Sequence, residues 1–282
     1  MIDLHSHTDR SDGTFTPEEL IAEAKRAGLR ALGITDHDTF AGYDAAVPFA
    51  EAAGLELICG IELSTRYQGQ SVHLLGYFPQ QPPTAEFRKW LEWMLEMRRD
   101  RNRRLIAKLQ SLGIDITLAE VETVGRTLTG RPHFARVLVS KGYAKDVQDA
   151  FDKYLDESAR AFVHRQEVPM DEALERILNC GGVPSLAHPV RVAKNNWEKI
   201  AAYVEDMAGM GLRAVEVYHS DHSPENVSYY RSLAEQFQLG LTGGSDFHGA
   251  VKPNISLGTG KHNNLHVPDE VLDGLKEMAA RG

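Results

Sequence analysis

Met1-Ile-Asp-Leu-His-Ser-His-Thr-Asp-Arg-Ser-Asp12 is the stretch that orients the reading of the whole chain. Ile2 to His7 has the pattern of a short strand, with Asp3, His5 and His7 on one face. Residues i and i+2 of a strand point the same way, their Cβ atoms roughly 7 Å apart. His5 and His7 can therefore enter one pocket, and Asp12 follows within a short loop. Two imidazoles with a carboxylate close behind can begin a metal site. A surface strand with incidental histidines fits this stretch alone equally well.

Outward from it, strands and helices alternate. Thr16-Pro-Glu-Glu19 predicts a helix start, with Thr16 as N-cap, Pro17 at the first position and Glu19 closing a capping box. Ala31 to Asp38 reads as a buried strand running into polar residues, followed by an Ala-rich helix from about Tyr43 to Ala53. Leu55 to Ser64 and Ser71 to Phe78 read as further strands. After Pro79-Gln-Gln-Pro-Pro83 the pattern turns helical, with one long helix predicted over Ala85 to Leu112 and Gly130-Arg-Pro-His133 in a turn between helices. Alternation resumes at Pro169, with strand ends at His188, His219 and Asp246-Phe-His248 and a closing helix between Leu265 and Arg281.

Seven strand candidates separated mostly by helices predict an α/β fold with a parallel sheet closed into a barrel. The expected organisation is a barrel over 1–79 and 166–282, interrupted by a helical insertion over 80–165. Active sites of α/β barrels lie at the C-terminal ends of the strands. Those ends carry His5/His7, Asp36/His37/Asp38, Glu62, His188, His219 and Asp246/His248. His73 lies near the beginning of its apolar run, so its strand is expected to start earlier or to bend.

The 282 residues include 31 Lys+Arg and 40 Asp+Glu, a formal charge of −9 that argues against broad nucleic-acid binding. The charge is uneven: residues 85–165 hold 16 basic against 12 acidic side chains. That basic segment fits an anionic ligand or a helical surface rich in arginine. Cys59 and Cys180 offer neither a disulfide framework nor a C-x-x-C spacing, which suits a reducing cytoplasm. No apolar run spans a membrane, and no signal-peptide pattern opens the chain, so a cytoplasmic location is expected.

Imidazole and carboxylate without thiolate suits Zn²⁺, Mn²⁺ or Fe²⁺ rather than Ca²⁺. The candidate ligands exceed what one ion needs, so two or three divalent metals are expected, with Mn²⁺ favoured. A carboxylate such as Glu62 can bridge two ions. Clustered metals acidify water at neutral pH and neutralise a transferring phosphoryl group.

His5-Ser-His7, Thr35-Asp-His37, Gly60-Ile-Glu62, Ala187-His188-Pro and Ser245-Asp246-Phe-His248 resemble, in order, the motifs of the PHP (polymerase and histidinol phosphatase) family. The resemblance covers residues 1–79 and 166–250. It implies a distorted (β/α)7 barrel, a trinuclear metal centre and phosphoester hydrolysis. It also implies a ligand set: His5, His7, Glu62 and Asp246 for one metal, Glu62, His73 and His188 for a second, and Asp12, His37 and His248 for a third. Asp12 stands where some members carry His.

Other residues are weighed beside these. Asp36 and Asp38 could orient imidazoles or cap a helix. Arg131, His133 and Arg191 are candidate phosphate binders, with surface salt bridging the plain alternative for Arg191. His219 and His222 are candidate proton donors to the leaving oxygen, His222 preferred for its loop position, while Asp246 serves both metal and catalysis. His164, His262 and His266 read as surface residues, and Gly243-Gly244 as no phosphate loop, since no P-loop lysine follows.

The helical insertion, Thr35-Asp-His-Asp-Thr39 and Gly130-Arg-Pro-His133 resemble one PHP subgroup. Its members remove the 3′-phosphate from nucleoside 3′,5′-bisphosphates, and related proteins trim short RNA from the 5′ end. The resemblance therefore favours a bisphosphate phosphatase with a nucleotide substrate. A 5′-to-3′ exoribonuclease on short RNA, a histidinol phosphatase and a non-catalytic metal- or nucleotide-binding module are the alternatives. The polymerase-associated branch is disfavoured, since no polymerase sequence is attached.

Overall fold

A computed structural model describes residues 1–125, 129–164, 167–193 and 196–281. In chain order the barrel begins with β1 (Ile2–Asp3), α1 (Pro17–Arg26), β2 (Ala31–Ile34), α2 (Ala41–Ala53), β3 (Glu56–Tyr67) and β4 (Gln70–Tyr77). Four helices follow: α3 (Ala85–Ser111), α4 (Leu118–Gly125), α5 (Arg131–Ser140) and α6 (Val147–Ala150), the last running into a π-helical turn at Phe151–Leu155. The barrel resumes with β5 (Val168–Pro169), α7 (Met170–Asn179), β6 (Val183–Leu186), α8 (Pro189–Ala193), α9 (Trp197–Met210), β7 (Ala214–His219), α10 (Pro224–Gln236) and β8 (Gly240–Gly244). A small hairpin, β9 (Ile255–Ser256) and β10 (Gly260–Lys261), precedes α11 (Asp269–Arg281).

The strand order is β1-β2-β3-β4-β6-β7-β8, with β5 paired to β3 off this path. The ring nears closure where the chain after β1 meets the chain after β8. There Leu4 N donates to Gly243 O at 3.1 Å, Asp246 N to His5 O at 2.9 Å and His7 N to Phe247 O at 2.9 Å. The seven expected strands are present, but the regular first strand is shorter than Ile2–His7, which continues as extended chain bridged at Ser6 to Phe247. Gly243-Gly244 serves this closure. A Cβ on Gly244 would lie 2.2 Å from His5 N, and one on Gly243 2.6 Å from Tyr218 Cβ.

One expectation changes: the barrel is mixed, not parallel. β4 runs antiparallel to both β3 and β6, while the other neighbours pair in parallel. The two-residue link between β3 and β4 (Gln68-Gly69) explains this, because so short a connection joins only antiparallel strands. Gln68 and Gly69 both take positive φ, as the favoured two-residue hairpin turn requires. The start of β4 therefore lies beside the C-terminal ends of its neighbours. His73, opposite Ser64, needs neither an earlier strand nor a bend.

α1 starts as expected, with Thr16 and Glu19 capping reciprocally. α3 does two jobs along its length. Phe87, Trp90, Leu91 and Met94 pack into the barrel-side core with Phe40 and Phe78. Leu105, Ile106 and Leu109 join a separate core with Ile116, Val121, Phe134 and Leu138. The helical insertion thus has its own apolar interior and is anchored by the first half of α3. Its expected end at residue 165 lies outside the described residues. Gly130-Arg-Pro-His133 is the N-terminal turn of α5 rather than an inter-helix turn, with Gly130 as N-cap. Among the described residues no helix is long and apolar enough to cross a membrane.

Candidate metal centre

The strand ends bring the expected histidines and carboxylates around one buried side chain, Glu62 at the middle of β3. Its Oε2 lies 3.1 Å from His7 Nε2, 3.3 Å from His5 Nε2 and 3.4 Å from His37 Nδ1. Its Oε1 lies 2.8 Å from His73 Nδ1 and 2.9 Å from His188 Nε2. Asp246 Oδ1 completes one side, 3.6 Å from His5 Nε2 and 3.4 Å from His7 Nε2. Asp12 Oδ1 lies 3.2 Å from His248 Nε2 and 3.7 Å from His7 Nδ1, and Asp12 Oδ2 lies 3.7 Å from His37 Nε2.

Three groups have donor atoms mutually within 4.8 Å: His5/His7/Glu62/Asp246, His37/Glu62/His73 and His7/Asp12/His37/His248. Their chemistry fits two or more divalent cations, since two groups share Glu62 and a carboxylate can serve two ions. Buried polar atoms support the fit. His7 Nε2, His37 Nδ1, His188 Nδ1 and Asp12 Oδ1 find no hydrogen-bond partner among the described residues. Unsatisfied groups of this kind are costly unless something binds them.

The electrostatics favour cation binding too. Burial pushes His37 down to about 3. Burial and the neighbouring Arg191 bring His188 to about 3, so both rings are neutral at pH 7. Burial opposes protonation of His7, but the neighbouring Asp246 and Glu62 carboxylates prevail and raise it to about 9. Burial likewise opposes charge on Glu62, yet His37, His73 and His5 hold it well below the carboxylate range. In Asp246 the burial penalty is outweighed by Lys252 and Arg191.

Three non-glycine residues at or beside these ligands adopt left-handed backbone: Asp38 (φ 54°), His188 (φ 26°) and Asp246 (φ 58°). Such conformations cost of order 1–3 kcal/mol each and persist where hydrogen bonds over-determine them. Asp38 N donates to Glu62 O at 3.1 Å, Asp246 N to His5 O at 2.9 Å and His188 N to Glu216 Oε2 at 2.6 Å.

Several expected roles move. Asp36 orients no imidazole and caps no helix. It accepts from Thr8 N, Thr8 Oγ1 and Ser11 Oγ at 2.8, 2.6 and 2.5 Å, holding the loop that carries Asp12. Asp38 accepts from Ser64 N at 2.8 Å and pairs with Arg98 of α3. His222 does not reach the cavity. It is buried behind His219, with its Nδ1 donating to Val217 O at 2.8 Å. His219 is also buried, its Nε2 3.6 Å from Asp246 Oδ2. His133 does not line the cavity either, because its Nδ1 accepts from Gly130 N at 2.9 Å at the start of α5. Arg191 does reach the centre, with Nη1 2.9 Å from Asp246 Oδ2 and its other nitrogens on Asp221. His164, His262 and His266 are exposed as expected.

Facing the cluster is a cavity of about 270 Å³ whose far wall comes from the helical insertion. Arg98, Arg101 and Arg131 line it together with Phe151, Phe162 and Val163. The arginine-rich middle of α3 therefore divides. Arg98 and Arg101 are buried, whereas Arg99, Arg103 and Arg104 lie outside and pair with Glu96 and Asp100. Arg131 rests over the Phe162 ring and donates to Leu155 O at 3.4 Å, with no carboxylate partner among the described residues. Sequence reasoning missed Glu216 and Lys252. Glu216 was detectable as the lone charge in the apolar run Ala214–Val217, but Lys252, 2.6 Å from Asp246 Oδ2, gave no signal.

The PHP domain matches residues 3–210, and the chain belongs to this family: it is a metal-dependent phosphoesterase of the PHP type. It is similar to the 5′-3′ exoribonuclease of Salmonella typhimurium, 35% identical over 91% of this chain and 87% of that protein. It is also similar to the 3′,5′-nucleoside bisphosphate phosphatase of Chromobacterium violaceum, 32% identical over 88% of this chain and 87% of that one. Among solved structures, a protein from Bifidobacterium adolescentis assigned as a metal-dependent phosphoesterase superposes with a TM-score of 0.85. It is 31% identical, the alignment covering 100% of this chain and 96% of that chain.

Proposed function

We propose that this chain is a 5′-to-3′ exoribonuclease acting on short 5′-phosphorylated RNA, cleaving the ester at the 3′-oxygen of the leading nucleotide. A nucleoside 3′,5′-bisphosphate presents the same 3′-ester on the smallest possible scale, and its phosphatase is the second reading. The observation that carries the proposal is the cavity: candidate metal ligands form one wall, and Arg131, without an ion-pair partner among the described residues, stands on the other. A half-buried guanidinium without a carboxylate ion pair suits a bound phosphate. The aromatic wall of Phe151 and Phe162 suits a base held by stacking, which tolerates any sequence. Of the two curated relatives compared above, the Salmonella protein is the more similar, and it is named an exoribonuclease.

In this reading His5, His7, Glu62 and Asp246 would hold one ion, Glu62 with His73 and His188, both against its Oε1, would hold a second, and Asp12, His37 and His248, which group with His7, would hold a third, with Mn²⁺ preferred. Bound divalent ions supply Lewis acidity toward phosphoryl oxygens and acidify water at neutral pH. The chain's own residues do the rest. Arg131 grips the 5′-phosphate and so sets which ester meets the centre. Arg191 and Lys252, both lining the cavity and both on Asp246, offset charge on the phosphoryl group as it transfers.

Mn²⁺-loaded protein is given pentaribonucleotides with 5′-phosphate or 5′-hydroxyl, and a nucleoside 3′,5′-bisphosphate. Stepwise shortening from the phosphorylated end is expected. Turnover of the bisphosphate with intact oligonucleotides would replace this reading with the phosphatase. Equal rates on 5′-phosphate and 5′-hydroxyl RNA would remove the role of Arg131.

A further inference from the structure

Glu216 is fully buried in β7 and makes contacts that concern the metal centre more than the sheet. A carboxylate out of water is costly unless both oxygens are bonded. Here they are. Oε1 lies 2.7 Å from His5 Nδ1, and Oε2 accepts from His188 N at 2.6 Å. The local backbone is built for this. The β7–β8 register shifts between Glu216 and Tyr218, and such a bulge inserts one extra residue into a strand. Glu216 and His219, three residues apart, thereby both turn into the barrel.

The two bonds act on different ligands. A carboxylate only accepts, so His5 carries a proton on Nδ1 and leaves Nε2 as the atom that a metal would take. That atom faces Glu62 Oε2 and Asp246 Oδ1. The second bond holds the backbone of His188 in its left-handed conformation (φ 26°), which delivers Nε2 to 2.9 Å from Glu62 Oε1. His5 and His188 thus approach opposite oxygens of Glu62 under the control of a single side chain.

We propose that Glu216 is the positioning residue of this centre, fixing the tautomer of His5 and the seat of His188 so that the ligands of two ions are set together. The inference rests on reading the strand ends as a metal centre. A neutral amide cannot replace the carboxylate, because the two N–H groups approach different oxygens and the amide NH₂ would face one of them, donor against donor.

The wild-type protein provides the first test. Chelator-stripped protein with ¹⁵N-labelled histidine is reloaded with ¹¹³Cd²⁺, and the His5 signals are assigned by their loss in His5→Gln. The expected spectrum has a proton on Nδ1 of His5 and ¹¹³Cd coupling through Nε2. Coupling through Nδ1 overturns the proposal, whereas failure to bind ¹¹³Cd²⁺ at all overturns the metal reading instead. The second test titrates metal-free Glu216→Gln with Mn²⁺ by calorimetry. Both of the tightest ions are expected to bind roughly 10–100-fold more weakly, the usual cost of losing a ligand's outer partner. Wild-type affinity, or weakening confined to one ion, overturns the shared role.

Discussion

His73 and Glu62 meet across an antiparallel strand pair, with His73 Nδ1 2.8 Å from Glu62 Oε1. The contact exists because β4 alone reverses direction in the ring, so a residue near its start reaches the end where its neighbours finish. Glu62 itself lies near the middle of β3, and five imidazoles converge on its two oxygens.

Glu62→Gln keeps the shape and removes the charge that these imidazoles share. Mn²⁺ affinity, read by calorimetry, is expected to fall by more than the roughly 100-fold that bounds loss of an outer partner, and metal content after desalting, read by mass spectrometry, should drop below that of the wild type. Turnover should fall with it. A variant that keeps its metal complement and its rate would take Glu62 out of the centre.

Metal uptake should release protons. Without metal, His7 is raised to about 9 by Asp246 and Glu62 against the effect of burial, so it is charged at pH 7.5 and must deprotonate to become a ligand. His37 and His188, lowered to about 3, contribute none. Mn²⁺ affinity should therefore strengthen with rising pH and, for the His7 share, level off above about 9. In the metal-free protein the sign reverses. The His7 pairing stabilises fully below the ordinary value of 6.5 and is lost as pH rises through about 9. Calorimetry in buffers of different ionisation enthalpy reads the proton release directly, and zero release at pH 7.5 would contradict it.

Arg131→Met should raise KM for 5′-phosphorylated substrates by about 10–100-fold, the worth of a charge-assisted hydrogen bond of roughly 1.5–3 kcal/mol. The rate on a 5′-hydroxyl oligonucleotide should barely change. A fall in kcat alone, equal for both substrates, would place Arg131 elsewhere in the mechanism.

Arg98 joins α3 to the barrel through Asp38, and both side chains are buried. Arg98→Met leaves a carboxylate uncompensated, and breaking a buried pair in this way costs about 3–5 kcal/mol. Urea denaturation should show a loss of that order. Asp38→Asn combined with Arg98→Met should recover part of it, and full additivity of the two changes would argue against a direct pair.

The sequence by itself determined the α/β alternation, the seven strands, the capping box at Thr16 and Glu19, and which histidines and carboxylates stand at strand ends. Those features are local. Period, capping and turn chemistry act over a few residues, so adjacent letters reveal them. The groups around Glu62 were legible because most of the ligands stand just beyond a strand end, and His73 near a strand start.

Only the tertiary structure decided the rest. The reversed direction of β4 resolved His73, although the short Gln68-Gly69 link was there to be read. The separation of Arg98 and Arg101 from Arg99, Arg103 and Arg104 depends on which side of α3 meets the barrel. His222 and His133 lost their expected access because their ring nitrogens are taken by Val217 O and Gly130 N. Glu216 gained its role from His5 and His188, which are 211 and 28 residues away in the chain. Such contacts arise from barrel closure and packing, and a side chain's charge state and partners follow from what surrounds it in space.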